Sequence, residues 1–149
     1  MLLIFSMGCT SQATTAASPL LLTSPVLTTA SFITLDSTRW QLQTYIDPKG
    51  NPTELLPGSQ ITIAFQTGQM VGLAGCNSYF TSYQVSSAQL TVSPVSITEK
   101  YCTAPGGLMQ QESQYLHVLQ SVQGFKIVDL RLQLLGNAGQ TLLTYTPLP

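Results

Sequence analysis

At 149 residues the chain is long enough for one domain with a hydrophobic core and too short for two. Charged side chains make up 7% of it, five basic against six acidic, where an average globular chain carries roughly 25%. That scarcity excludes the clustered Lys and Arg that neutralise nucleic-acid phosphates, and no polybasic segment is present to hold an anionic membrane. No run approaches the roughly eighteen apolar residues of a membrane-spanning helix. The solvated surface has to be built from Ser, Thr and Gln instead.

The first residues read Met1-Leu2-Leu3-Ile4-Phe5-Ser6-Met7-Gly8, ahead of Cys9. An apolar stretch, a small residue and a cysteine resemble the end of a bacterial lipoprotein signal, in which the cysteine becomes the lipid-carrying first mature residue. Ser6 and Met7 depart from the usual residues, and the first basic residue is Arg39, so residues 1–9 read as a truncated or partial signal. Residues 10–36 carry Ser, Thr, Ala and Pro with no charge before Asp36, and Pro19 and Pro25 break any helix. This composition reads as a linker that holds a domain, residues 37–147, away from a membrane.

In the domain, Trp40, Leu42 and Thr44 face one side of a strand while Arg39, Gln41 and Gln43 face the other. Asp47-Pro48-Lys49-Gly50-Asn51-Pro52 is a turn cluster. Ile61, Ile63 and Phe65 alternate with polar or small neighbours, and Gln66-Thr67-Gly68-Gln69 predicts a hairpin into Met70 to Ala74. Tyr79 to Val85, Gln89 to Val92 and Val95 to Thr98 are further short strands. Phe125 to Val128, Leu130 to Leu135 and Thr141 to Tyr145 form a closing meander, with Asp129 at its first corner and Gly136-Asn137-Ala138-Gly139 at its second.

Between Gly107 and Val122 the period changes to that of a helix. Leu108, Met109, Tyr115, Leu116, Leu119 and Val122 share one face, and Gln110, Ser113, Gln114, His117 and Ser121 the other. One helix near residues 107–122 among about eight short strands predicts a mainly β, α+β architecture. The strands join by short turns, so the sheet is a curled antiparallel one or a small barrel with the helix over one opening, filled by Ile61, Ile63, Phe65, Leu130 and Leu132.

The order of several of these residues resembles the META domain, also known as the HslJ-like heat-shock domain. Trp40 and Leu42 stand near its start, followed by Gly72 with Gly75-Cys76-Asn77, then Tyr79 and Tyr83, then Thr98 and Cys102. Met109, Glu112, Tyr115 and Leu119 follow at the family's helix spacing, and Leu130, Leu132 and Leu143 match its closing strands. Thr81 replaces a Gly usual in the family, and Lys100-Tyr101 a Met-Ala. The resemblance implies a small β-barrel-like fold in bacterial envelope lipoproteins, some linked to heat shock or antibiotic tolerance. It brings no biochemical activity.

Cys76 and Cys102 admit three readings: a disulfide in an oxidising envelope once Cys9 is lipidated, two thiols packed in the core, or a metal or nucleophile role. Metal binding lacks the paired-cysteine or clustered-histidine spacing of a zinc site. His117 could partner Cys102 as a base, but it falls on the polar helix face. Gly75 supplies a backbone geometry closed to other residues, and Asn77 holds the corner by side-chain hydrogen bonds. An oxyanion hole there has no nucleophile to serve. Glu112 sits on the apolar stripe, where an unpartnered carboxylate costs several kcal/mol, so it is expected to tie helix to sheet.

The expectation is therefore a non-enzymatic protein of the cell envelope with no cofactor and no metal, anchored by lipid at Cys9. In a Gram-negative cell it would sit on the periplasmic face of the outer membrane. It would be a monomer, meeting an envelope protein or component through its polar face in stress response or envelope maintenance. A barrel mouth that accepts a small apolar ligand is the alternative.

Overall fold

The computed structural model describes residues 34–149, so the expected signal, Cys9 and nearly all of the linker lie outside the described residues. Ten strands and one helix follow in order. They are β1 (Arg39–Ile46), β2 (Pro52–Glu54), β3 (Thr62–Gln66), β4 (Gln69–Leu73), β5 (Ser78–Ser86), β6 (Gln89–Val92) and β7 (Ser96–Ile97), then α1 (Leu108–Gln120), β8 (Gly124–Val128), β9 (Arg131–Leu135) and β10 (Thr141–Pro147).

Eight of the strands close a ring in the order β1, β3, β4, β5, β6, β8, β9, β10 and back to β1, each pair antiparallel. The two extra strands, three and two residues long, lie outside the ring: β2 pairs β1, and β7 pairs β5. Most neighbours are joined by three to five residue pairs, but β6 and β8 meet only at Gln89 opposite Gly124. Closure elsewhere leaves few free edges, which suits a chain with little charge to guard them.

The turns segregate to two ends. At the lower end lie the entry to β1, the Gln66–Gln69 hairpin, the Ser86–Gln89 turn and the Val128–Arg131 turn. At the upper end lie the β1–β2 turn, the residues between β4 and β5, and the β9–β10 turn, with α1 packed over that opening against β1 and β10. Ile61, Ile63, Phe65, Met70, Leu90, Tyr115, Leu119, Leu132, Leu134, Leu143 and Tyr145 are fully buried, so side chains fill the interior. Leu35 and Trp40 are buried near the lower end, where Trp40 Nε1 donates to Thr38 Oγ1 at 2.8 Å.

Three expectations are corrected here. The register of β1 against β10 shifts between Leu42 and Thr44, so Tyr45 rather than Thr44 turns inward with Trp40 and Leu42. Leu130 does not fill the interior: it is 79% exposed in the two-residue turn between β8 and β9, where Asp129 and Leu130 have φ of 50° and 60°. The helix is shorter than residues 107–122, because Gly107 takes a left-handed φ of 86° and Ser121 caps the other end, although Val122 remains buried beyond it. Thr81 breaks nothing: β5 runs straight through it, and its Oγ1 donates to the Ser93 carbonyl at 2.8 Å.

Candidate functional site

Of the residues singled out by their order in the sequence, Gly75, Cys76, Asn77, Thr98, Cys102, Met109 and Glu112 come together where β4 turns into β5 beneath α1, whereas Trp40, Tyr83 and Leu130 lie elsewhere. Gly75 adopts φ of 117°, which favours glycine, and a Cβ there would also crowd Leu108 Cδ1 at 3.0 Å, so that the leucine side chain would have to give. The turn aims the amides of Cys76 and Asn77 at the helix. Both donate to Glu112 Oε2, at 3.0 and 2.7 Å, and Asn77 Nδ2 donates to Glu112 Oε1 at 2.7 Å. Glu112 is 3% exposed, and its oxygens bind the corner.

Asn77 is satisfied on every side. Its Oδ1 accepts from Thr98 Oγ1 at 2.8 Å and from the Lys100 amide at 2.7 Å, while Nδ2 also donates to the Lys100 carbonyl at 3.0 Å. One side chain thus joins the turn, the helix and the strand leaving β7. Lys100 enters through its backbone, which is why a residue unusual in the family is tolerated there, and Tyr101 stands 81% exposed.

Cys76 and Cys102 form a disulfide, with Cα atoms 5.9 Å apart and a sequence separation of 26. On the chain-entropy model a loop of that size contributes about 3.5 kcal/mol. The Cys102 amide also points at Met109 Sδ at 3.5 Å, so the segment before α1 is held at both bridge and backbone. Of the three readings of this pair the disulfide is the one realised, and a sulfur so bonded is no nucleophile. His117 is exposed on the outer face of α1, as its helical position predicts. Among the described residues no three His, Cys, Asp or Glu gather as metal ligands.

A second polar constellation lies deeper, in the middle of the core. Tyr79 donates to the Thr62 carbonyl at 2.9 Å, and the hydroxyls of Tyr79 and Tyr115 lie 2.7 Å apart, those of Tyr115 and Tyr145 3.1 Å apart. Gly72 makes the first contact possible by leaving room for the Tyr79 ring. Tyr83 packs edge-on against Phe65, with ring centroids 5.1 Å apart. Leu119 fills the core beneath the helix.

Burial, and then their mutual proximity, hold the phenols of Tyr79, Tyr115 and Tyr145 well above the ordinary tyrosine range. Unfolded tyrosines lose their protons near pH 10, so the unfolded state releases protons first and stability falls as pH rises above about 10. Below that pH the contribution is whole. Each buried phenol steepens the loss by about 1.4 kcal/mol per pH unit. Melting temperatures of Tyr145→Phe measured between pH 9 and 12 should fall less steeply than those of the native chain; parallel curves would contradict this.

Two residues that matter, Gln111 and Tyr145, were not singled out from the sequence. Gln111 is buried, accepts from the Leu56 amide at 2.6 Å through Oε1 and donates to Ser59 Oγ at 2.9 Å, tying α1 to the loop before β3. A glutamine beside an apolar stripe gives no periodic cue. Tyr145 could have been found, because it alternates inward with Leu143.

An eight-stranded antiparallel ring, closed over one end by a helix that a disulfide and a buried carboxylate secure, defines a small barrel-like class of domain. The model of the META domain matches residues 33–147, and the chain belongs to that family. An NMR structure of a protein from Burkholderia xenovorans is 28% identical, with TM-score 0.62 over 76% of this chain and 83% of that one. A second NMR structure, 20% identical, has TM-score 0.55 over 75% and 90% of the two chains. A DUF4847 family protein from Bacteroides vulgatus, 11% identical, has TM-score 0.53 over 75% and 93%. The last two show the fold alone. No curated protein matches this chain.

Proposed function

We propose that this is a non-enzymatic META-domain protein of the cell envelope, lipid-anchored through Cys9, that meets an envelope protein or component in a stress-related or maintenance role. The observation that carries it is the Cys76–Cys102 disulfide, because such bridges persist in oxidising compartments and are rare in the cytosol. The third cysteine, Cys9, stands where the sequence resembles a lipoprotein signal, ahead of a charge-free stretch. The polar groups that sequence alone might assign to catalysis are spent on one another: Glu112 on Asn77 and Cys76, Asn77 on Thr98 and Lys100. Phe80, Ile97 and Tyr101 stand exposed near β5 and β7 and give a partner apolar contacts within a polar surface.

The alternative, an apolar ligand inside the barrel, is disfavoured by an interior filled with side chains. The full chain expressed in bacteria fed an alkyne analogue of palmitate should label and fractionate with membranes, and Cys9→Ser should lose both. An unlabelled, freely extracted native chain would refute the anchor.

A further inference from the structure

We propose that the β8–β9 hairpin tip, Val128-Asp129-Leu130-Arg131, is a lipid-contacting element that seats the lower end of the barrel on a bilayer surface. This rests on the anchored reading above and adds to the anchor an orientation for the domain. Three features of the tip converge. Leu130 is 79% and Val128 44% exposed, and Val85, on the β5–β6 hairpin at the same end, is also 44% exposed. Asp129 and Leu130 both have positive φ, a geometry that a two-residue hairpin gives to Asn or Gly and that a branched apolar side chain resists. A leucine here is exposed to water and strained at once, so the folded domain gains nothing from it.

The occupant is argued from charge and from the path of the chain. The chain enters β1 at this end, so the residues that follow Cys9 lead to it. From Cys9 to Thr34 the backbone can reach at most roughly 85 Å, which keeps the lower end within range of any membrane that holds the anchor. Of the five basic residues, Arg39, Lys126 and Arg131 stand toward this end with Asp36 and Asp129. Asp47, Glu54 and Glu99 lie toward the other end with Lys49 and Lys100. Asp36 is occupied by the Thr67 amide. Lys126 stands beside Val128 and Leu130, a pattern that places apolar side chains among acyl chains and a cation among lipid phosphates, whereas Arg131 lines the outer-face groove that also holds Glu54.

The test uses the full chain. With Cys76 and Cys102 bridged, Cys9 can be coupled through a maleimide lipid to vesicles of phosphatidylglycerol and phosphatidylethanolamine with brominated acyl chains. A Leu130→Trp reporter should shift to the blue and lose about half its emission to bromine. An Ala138→Trp reporter at the upper end should do neither, the buried Trp40 giving a constant background. An unquenched Leu130→Trp, or equal quenching of both, overturns the proposal. Leu130→Asn should raise the melting temperature by a few degrees, since Asn accepts positive φ. A fall would assign Leu130 to the fold, and a solution dimer abolished by Leu130→Asn would assign the tip to a second copy; either overturns the lipid reading. Because coupling replaces the cell's own modification, the outcome stands whether or not Cys9 carries lipid in the cell, which palmitate labelling decides separately.

Discussion

Glu112→Gln is expected to leave a folded domain that is less stable by about 3 kcal/mol, a fall in melting temperature of about 12 °C. The carboxylate accepts three hydrogen bonds from the Cys76 and Asn77 amides and from Asn77 Nδ2. A glutamine keeps one acceptor and puts an NH₂ where the other oxygen was, so buried donors face a donor. Each donor left unpaired costs about 1–3 kcal/mol. The disulfide still holds the corner near the segment before α1, which is why the loss is partial. Chemical denaturation of the oxidised protein measures it, and a change within 0.5 kcal/mol would show that the three contacts do not hold the helix to the sheet.

Gly72→Ala should be at least as damaging, by about 4 kcal/mol, for a different reason. A Cβ at this position would lie 2.0 Å from the Thr62 carbonyl oxygen and 2.8 Å from the ring and hydroxyl of Tyr79. The first is backbone and cannot turn aside, so β3 and β4 would have to part. Parting them removes the hydrogen bond from Tyr79 to Thr62 and disturbs the tyrosine chain behind it. Gly106→Ala is the control, since a Cβ there meets nothing within 4 Å. Comparable stability of the two variants would mean that β4 accommodates a methyl group and that the reading of Gly72 is wrong.

The parts of this fold that were legible are those with a local period. The alternation of Ile61, Ile63 and Phe65 and the helical spacing of Leu108, Tyr115 and Leu119 place those side chains in the core, where they are found. The failures are places where geometry interrupts the period. A bulge beside Gln43 exchanges Thr44 for Tyr45, and a tight turn lifts Leu130 out of the apolar run that follows it. A small barrel was expected from the short turns, but the pairing that closes it was not legible, because β1 meets β10 about a hundred residues away and no local pattern specifies that partner.

The candidate site shows the same division. Glu112 stood out because a carboxylate on an apolar stripe demands partners, but those partners come from a turn 35 and 36 positions earlier. The cysteine pair allowed several states, and the fold brings the two Cα atoms to 5.9 Å, where they are bridged. Gln111 was invisible because its role depends on a loop amide at Leu56 that sequence does not place nearby.

The polar corner of Glu112, Asn77 and Cys76 locks the helix to the barrel. Amide hydrogen exchange at Cys76 and Asn77 tests it most directly. Neither amide belongs to a strand ladder, yet both are held by Glu112, so they should exchange only with global unfolding, as slowly as the core strands. Exchange as fast as that of the exposed Gly58 amide, in the turn before β3, would contradict the account.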